Sequence, residues 1–136
     1  MTLGVDLEDM RRQVPLDLAC RYFAPSELRA LSALGAAAQP ARLLQLWTLK
    51  ESYVKARGMG LSIALDRFSF RLASDRIFFT PEPDRDFLPS DWQYVLSMPD
   101  CAHLVALCTH HSRAVQMRVV PLVKEARFAL TPVLAS

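Results

Sequence analysis

The chain opens on a strict alternation. In Leu3-Gly-Val-Asp-Leu-Glu8, Val5 and Leu7 fall on one side and Asp6 and Glu8 on the other, which predicts a short first strand. Helical spacing follows over Asp17 to Tyr22 and Ser26 to Leu34, the second with Pro25 just ahead of it and Ser26 and Glu27 in its first turn. Gly35-Ala-Ala-Ala38 and Pro40 form a soft connection, and Ala41 to Arg57 carries the longest helical pattern in the chain. Gly58 stands where a helix commonly ends in a left-handed residue.

Beyond Ile63 the period changes from helix to strand. Phe68 to Leu72, Ile77 to Phe79, Tyr94 to Leu96, Leu104 to Leu107 and Val115 to Val120 read as strands between Pro, Asp and Ser clusters. The acidic, proline-rich segment Thr80 to Pro89 reads as a loop. One strand, then helices, then strands in a row predicts an α+β fold with a mainly antiparallel sheet packed against the long helix. Residues 1–120 are expected to form one domain, with 121–136 as a tail that the pattern does not place.

Composition narrows the class. In 136 residues, 51% are hydrophobic and 22% charged, which is ordinary globular composition and excludes a disordered or collagen-like chain. A net charge of +2 is too small for a protein that relies on neutralising a phosphate backbone, so nucleic acid is not an expected partner. No apolar run approaches the roughly 20 residues of a membrane-spanning helix, and carboxylates stand where a signal peptide would be basic, so a cytoplasmic protein is expected. Cys20, Cys101 and Cys108 are odd in number and far apart, which predicts buried, reduced thiols. His110 and His111 are neighbours and point to opposite faces of a strand, so they cannot share a metal ion.

Three features break the pattern. At about 100° per residue, Leu43, Leu46, Leu49, Tyr53, Val54 and Ala56 make one broad apolar face of the long helix, and Lys50 lies inside that arc. Its ammonium either snorkels to a nearby surface or meets a phosphate or carboxylate in an internal polar site. Trp47, Glu51 and Lys55 form a stripe along the border of the same face, where Glu51 and Lys55 are either a simple i,i+4 ion pair or part of a site. Asp6 and Glu8, side by side on the first strand, either face solvent or hold a divalent cation that removes their repulsion. In the second case Glu51 is the natural third carboxylate.

Taken together, Gly4-Val5-Asp6-Leu7-Glu8, then Trp47-Thr-Leu-Lys50-Glu51-Ser52-Tyr53-Val54-Lys55, then Gly58-Met-Gly60-Leu61 resemble the paired signature of the 4′-phosphopantetheinyl transferase superfamily. The likeness is nearest to its surfactin-synthetase-activating branch, whose R-F-F-x-x-x-E segment is similar to Arg21-Tyr22-Phe23-Ala24-Pro25-Ser26-Glu27. It runs from about Gly4 to Phe70 and matches the second, C-terminal half of those two-halved enzymes.

The resemblance implies transfer of the phosphopantetheine arm of coenzyme A to a serine of an acyl, peptidyl or aryl carrier protein. It implies Mg²⁺ on Asp6, Glu8 and Glu51, Glu51 as general base, and Lys50 and Lys55 on phosphate oxygens, with Lys55 assisting the leaving group. Family members bind coenzyme A between two halves, so this half is expected to work as a homo-oligomer or with an N-terminal half that this sequence lacks. The other reading is a non-catalytic or truncated domain that binds carrier proteins or serves as a structural module. Arg11, Arg12 and Arg21 would contact an acidic carrier or are plain surface charge, and Phe68, Phe70, Phe78 and Phe79 are expected in the core.

Overall fold

The alternation at the start of the chain forms an eight-residue strand, β1 (Thr2–Asp9). Three helices follow: α1 (Leu16–Tyr22), α2 (Pro25–Ser32) and α3 (Gln39–Arg57). After two single 3₁₀ turns at Gly60–Ser62 and Leu65–Arg67 come β2 (Ser69–Leu72), β3 (Ile77–Thr80), β4 (Trp92–Met98), β5 (His103–His110) and β6 (Thr131–Ala135). The computed structural model describes residues 1–83, 91–111 and 131–135.

The expected α+β architecture is present. A four-stranded antiparallel sheet runs in the order β1-β5-β4-β6, and β2 and β3 pair as a separate antiparallel hairpin. The strands at Tyr94 and Leu104 are longer than the pattern indicated, because His103 and Trp92 pair outward to the ends of β5 and β4. Part of the C-terminal stretch that had no readable pattern is a strand at the edge of the sheet among the described residues: β6 pairs with β4 from Val95↔Ala135 to Met98↔Thr131. Its Pro132 is tolerated there because an edge strand leaves one side without a ladder bond to donate. The expected strand over Val115 to Val120 and the 84–89 part of the expected loop lie outside the described residues.

Helix α3 packs across β1 and β5 and organises the core. Leu49 and Tyr53 are fully buried on it, and the Tyr53 ring meets those of Phe68, Phe79 and Trp92 at centroid distances of 4.7, 4.9 and 4.9 Å. Phe68 and Phe70 are core residues as expected, whereas Phe78 is partly exposed with the Arg71 guanidinium 3.8 Å from its ring centroid. The helix ends at Gly58 in the left-handed conformation, φ 63°. A left-handed alanine costs about 1 kcal/mol or more, so Gly58→Ala is expected to lower stability by about 1 kcal/mol in urea denaturation, with m unchanged.

The three thiols are free, as expected, but burial is confined to Cys108; Cys20 and Cys101 are exposed. Cys20 sits on the outer side of the short helix α1, which packs through Ala19 instead. Among the described residues, no helix is long and apolar enough to cross a membrane.

Candidate active site

The first strand inverts the usual rule. Leu3, Val5 and Leu7 are about half exposed, while Asp6 and Glu8 are buried beneath α3. Burying two neighbouring carboxylates is costly unless their charge is compensated. The compensation comes from α3 and from the turn after β1.

Gly4 makes the approach of α3 possible. A Cβ on this glycine would lie 2.0 Å from the Ser52 carbonyl oxygen and 2.4 Å from the Ala56 nitrogen, both backbone atoms of α3. The helix therefore rests directly on the strand, and residues one turn apart on it, Glu51 and Lys55, come down beside Asp6. Lys55 Nζ donates to Asp6 Oδ1 at 2.6 Å. Glu8 is engaged from the other side by the Arg12 guanidinium, which also lies over the Trp47 ring, 5.5 Å from its centroid.

Charge in this cluster does not balance locally. Asp6, Glu8 and Glu51 interact with one another and with the two cations Lys55 and Arg12. Burial raises the Asp6 carboxyl above its ordinary value despite the Lys55 ammonium, and Glu8 adds to the rise. Burial also raises Glu51, with further repulsion from Asp6 and then Glu8. The second oxygen of Asp6, Oδ2, is buried and has no hydrogen-bond partner among the described residues. An orphaned carboxylate oxygen within a cluster of mutually repelling carboxylates suits a hard divalent cation with oxygen ligands, so these residues fit Mg²⁺. In the arrangement seen, two of the carboxylates turn to Lys55 and Arg12, and among the described residues no three His, Cys, Asp or Glu side chains are gathered closely enough to hold an ion.

Glu51 and Lys55 also line a cleft of about 500 Å³, together with Tyr22, Val54, Ile63 and Leu65. A ligand in this cleft would lie alongside both residues.

Lys50, expected on phosphate oxygens, does not line this cleft and bonds within the chain. Its side chain is fully buried, with Nζ 2.9 Å from Glu27 Oε2 and donating to the carbonyls of Leu65 (2.6 Å) and Phe68 (2.8 Å). All three ammonium protons are thereby used. Of the two outcomes the helical pattern left open, the internal polar site is the one formed, and its anion is a carboxylate of the same chain. Burial pushes Glu27 up and Lys50 down from their ordinary values, and the contact between them opposes both shifts. Glu27 also accepts the N–H groups of Ala24 and Phe70, each at 2.8 Å.

Sequence reasoning missed the contacts of Glu27 with Lys50 and of Arg12 with Glu8. Lys50 itself announced that some anion must face it, and Glu27 stood in the matched Arg21 to Glu27 segment. Arg11, grouped with Arg12 as a surface cation, forks onto Asp9.

The profile of the 4′-phosphopantetheinyl transferase superfamily matches residues 2–108. A 4′-phosphopantetheinyl transferase of Bacillus pumilus is 32% identical over 116 residues, covering 84% of this chain and 47% of that protein. The 4′-phosphopantetheinyl transferase Sfp of Bacillus subtilis (strain 168) is 38% identical over 73 residues, 54% of this chain and 32% of its own length. The match thus spans about a quarter to a half of the length of the curated relatives. In fold, it is similar to the crystal structure of Thermotoga maritima holo-(acyl-carrier-protein) synthase, with a TM-score of 0.64 at 23% identity over 82% of this chain and 64% of that one.

Proposed function

The chain belongs to the 4′-phosphopantetheinyl transferase superfamily, and we propose that it transfers the phosphopantetheine arm of coenzyme A to a serine hydroxyl of an acyl, peptidyl or aryl carrier protein, releasing 3′,5′-adenosine diphosphate. The observation that carries this reading is the pair of buried carboxylates on β1, Asp6 and Glu8, whose charges act on Glu51, a residue that lines a cleft together with Lys55.

Asp6, Glu8 and Glu51 would hold Mg²⁺, which supplies positive charge to the pyrophosphate of coenzyme A as phosphoryl transfer builds negative charge there. Lys55 is half exposed and reaches both Asp6 and the cleft, so its ammonium can leave the carboxylate for a phosphate oxygen of the bound substrate and stabilise the departing phosphate. Glu51 suits the general base. A serine hydroxyl attacks phosphorus poorly until its proton is drawn off, and Glu51 is the carboxylate that lines the cleft. Because α3 is rigid and rests on β1, Glu51 and Lys55 stay one turn apart and keep fixed directions toward the cleft.

The direct test incubates the purified chain with coenzyme A, Mg²⁺ and several apo carrier proteins and weighs the carriers. A carrier heavier by one phosphopantetheine group is the expected result; unchanged mass for every carrier overturns activity in this chain. A second reading, a carrier-binding module without catalysis, draws on the share of relatives' length that this chain spans. Calorimetry separates the two: carrier binding without Mg²⁺-dependent binding of coenzyme A favours the module.

A further inference from the structure

Lys50 and Glu27 are the most deeply buried charges among the described residues, and neither touches the cleft. Their contacts nevertheless converge on it. Leu65, whose carbonyl accepts from Lys50 Nζ, belongs with Ile63 and Ala64 to the stretch of chain that lines the cleft alongside Glu51 and Lys55. Phe68, whose carbonyl accepts the next proton, ends the short segment that carries this stretch, and its ring lies under the ammonium at 4.3 Å from the centroid. Glu27 ties the same point to α2 and, through the Phe70 N–H, to the start of β2. One side chain of α3 thus holds the 63–68 segment by two backbone carbonyls, immediately next in sequence to Glu51.

Ile63 and Phe68 anchor the two ends of the 63–68 segment in the core by their side chains, and the backbone between them is irregular. It contains a single 3₁₀ turn between extended residues Ala64 and Phe68, and its internal backbone bonding is limited to Arg67 N–H on the Ala64 carbonyl, with Ile63 N–H reaching back to Gly60. A short irregular wall of this kind opens locally at low free energy unless side chains tie it down.

Resting on the transferase reading above, we propose that Lys50, held by Glu27, is a positioning residue that pins the Ile63–Leu65 wall against α3 and so sets the width of the cleft that grips coenzyme A. Lys50 touches no substrate. Its effect on the reaction passes through the wall, and therefore falls on binding of the donor and not on the chemical step at Glu51.

The test neutralises both charges at once, because removing one would leave the other buried and unpaired. In Lys50→Met/Glu27→Gln, the glutamine keeps an oxygen for the Phe70 N–H, while Leu65 and Phe68 lose their tie to α3. Hydrogen exchange at the amides of residues 63–68 is expected to accelerate about tenfold or more, and KM for coenzyme A to rise about tenfold with kcat within about twofold of the parent. Unchanged exchange overturns the proposal, as does a fall in kcat with KM unmoved, which would place Lys50 at the reacting atoms.

Should the double variant not fold, Lys50→Arg takes its place. It keeps the charge opposite Glu27 but spreads its donors over a plane that does not match two carbonyls and a carboxylate around one nitrogen. Faster exchange with raised KM supports the proposal, and parent values for both overturn it. If the unaltered chain shows no turnover with coenzyme A, the transferase reading fails. The exchange comparison needs no substrate and still decides whether Lys50 holds the wall.

Discussion

Gly4→Ala is expected to be the most damaging alanine substitution among the four glycines of this chain. The new Cβ would fall 2.0 Å from the Ser52 carbonyl oxygen and 2.4 Å from the Ala56 nitrogen, and neither neighbour can rotate away because both belong to the backbone of α3. Relief requires the whole helix to lift off β1. Overpacking of a well-filled core typically costs 1–3 kcal/mol, and a clash with a rigid helix lies at or beyond the upper end, about 3 kcal/mol. In a domain of this size that lowers Tm by roughly 10 °C. The displacement would also draw Lys55 from Asp6 and Glu51 from the carboxylates of β1, so turnover is expected to fall even at temperatures where the variant is folded. Thermal denaturation followed by circular dichroism checks the first effect; a parent-like Tm would mean that α3 does not rest on β1 as described.

That contact also explains which parts of the molecule were legible in the sequence. The strand at β1 and the helix at α3 announce themselves by period, and Gly58 by its place after the last helical residue, because each depends on neighbours within a few positions. Sidedness was harder. Alternation shows that Asp6 and Glu8 share a face but not that this is the covered one, since the choice is made by α3, about 45 residues later, passing over a residue without a side chain.

Lys50 is the complementary case. Its place in the apolar arc was readable from the helical wheel, and so was the need for an anion. The identity of that anion was set by packing, which brings Glu27 of α2 and two carbonyls of the 65–68 segment to one nitrogen. The two other buried polar residues of α3, Thr48 and Ser52, caused no such conflict because they bond back to the carbonyls of Leu44 and Leu49 on their own helix. Strand β6 lay beyond reach for a different reason: its partner is a strand more than thirty residues earlier, and pairing rather than local pattern defines it.

Glu51→Gln is expected to separate function from fold. In the transferase reading, Glu51 is both a ligand for Mg²⁺ and the base for the carrier serine, so the substitution removes an ion contact and the proton acceptor while preserving volume. Loss of a general base alone is worth about 10²–10⁴ in rate, and kcat is expected to fall by at least about 10². Stability should move the other way or not at all. Burial and then Asp6 disfavour ionisation of Glu51, so exchanging its charge for a neutral amide removes repulsion that the metal-free fold has to bear. Tm without added metal is therefore expected to equal or exceed that of the parent. Mg²⁺ should raise the Tm of the parent, by preferential binding to the folded state, and leave that of the variant nearly unchanged. Asp6→Asn should behave in the same way toward Mg²⁺ while also releasing Lys55 from its ion pair. Full turnover in Glu51→Gln, or an equal Mg²⁺ response in parent and variant, would remove Glu51 from the site and with it the argument that three carboxylates at the meeting of β1 and α3 form the reactive centre.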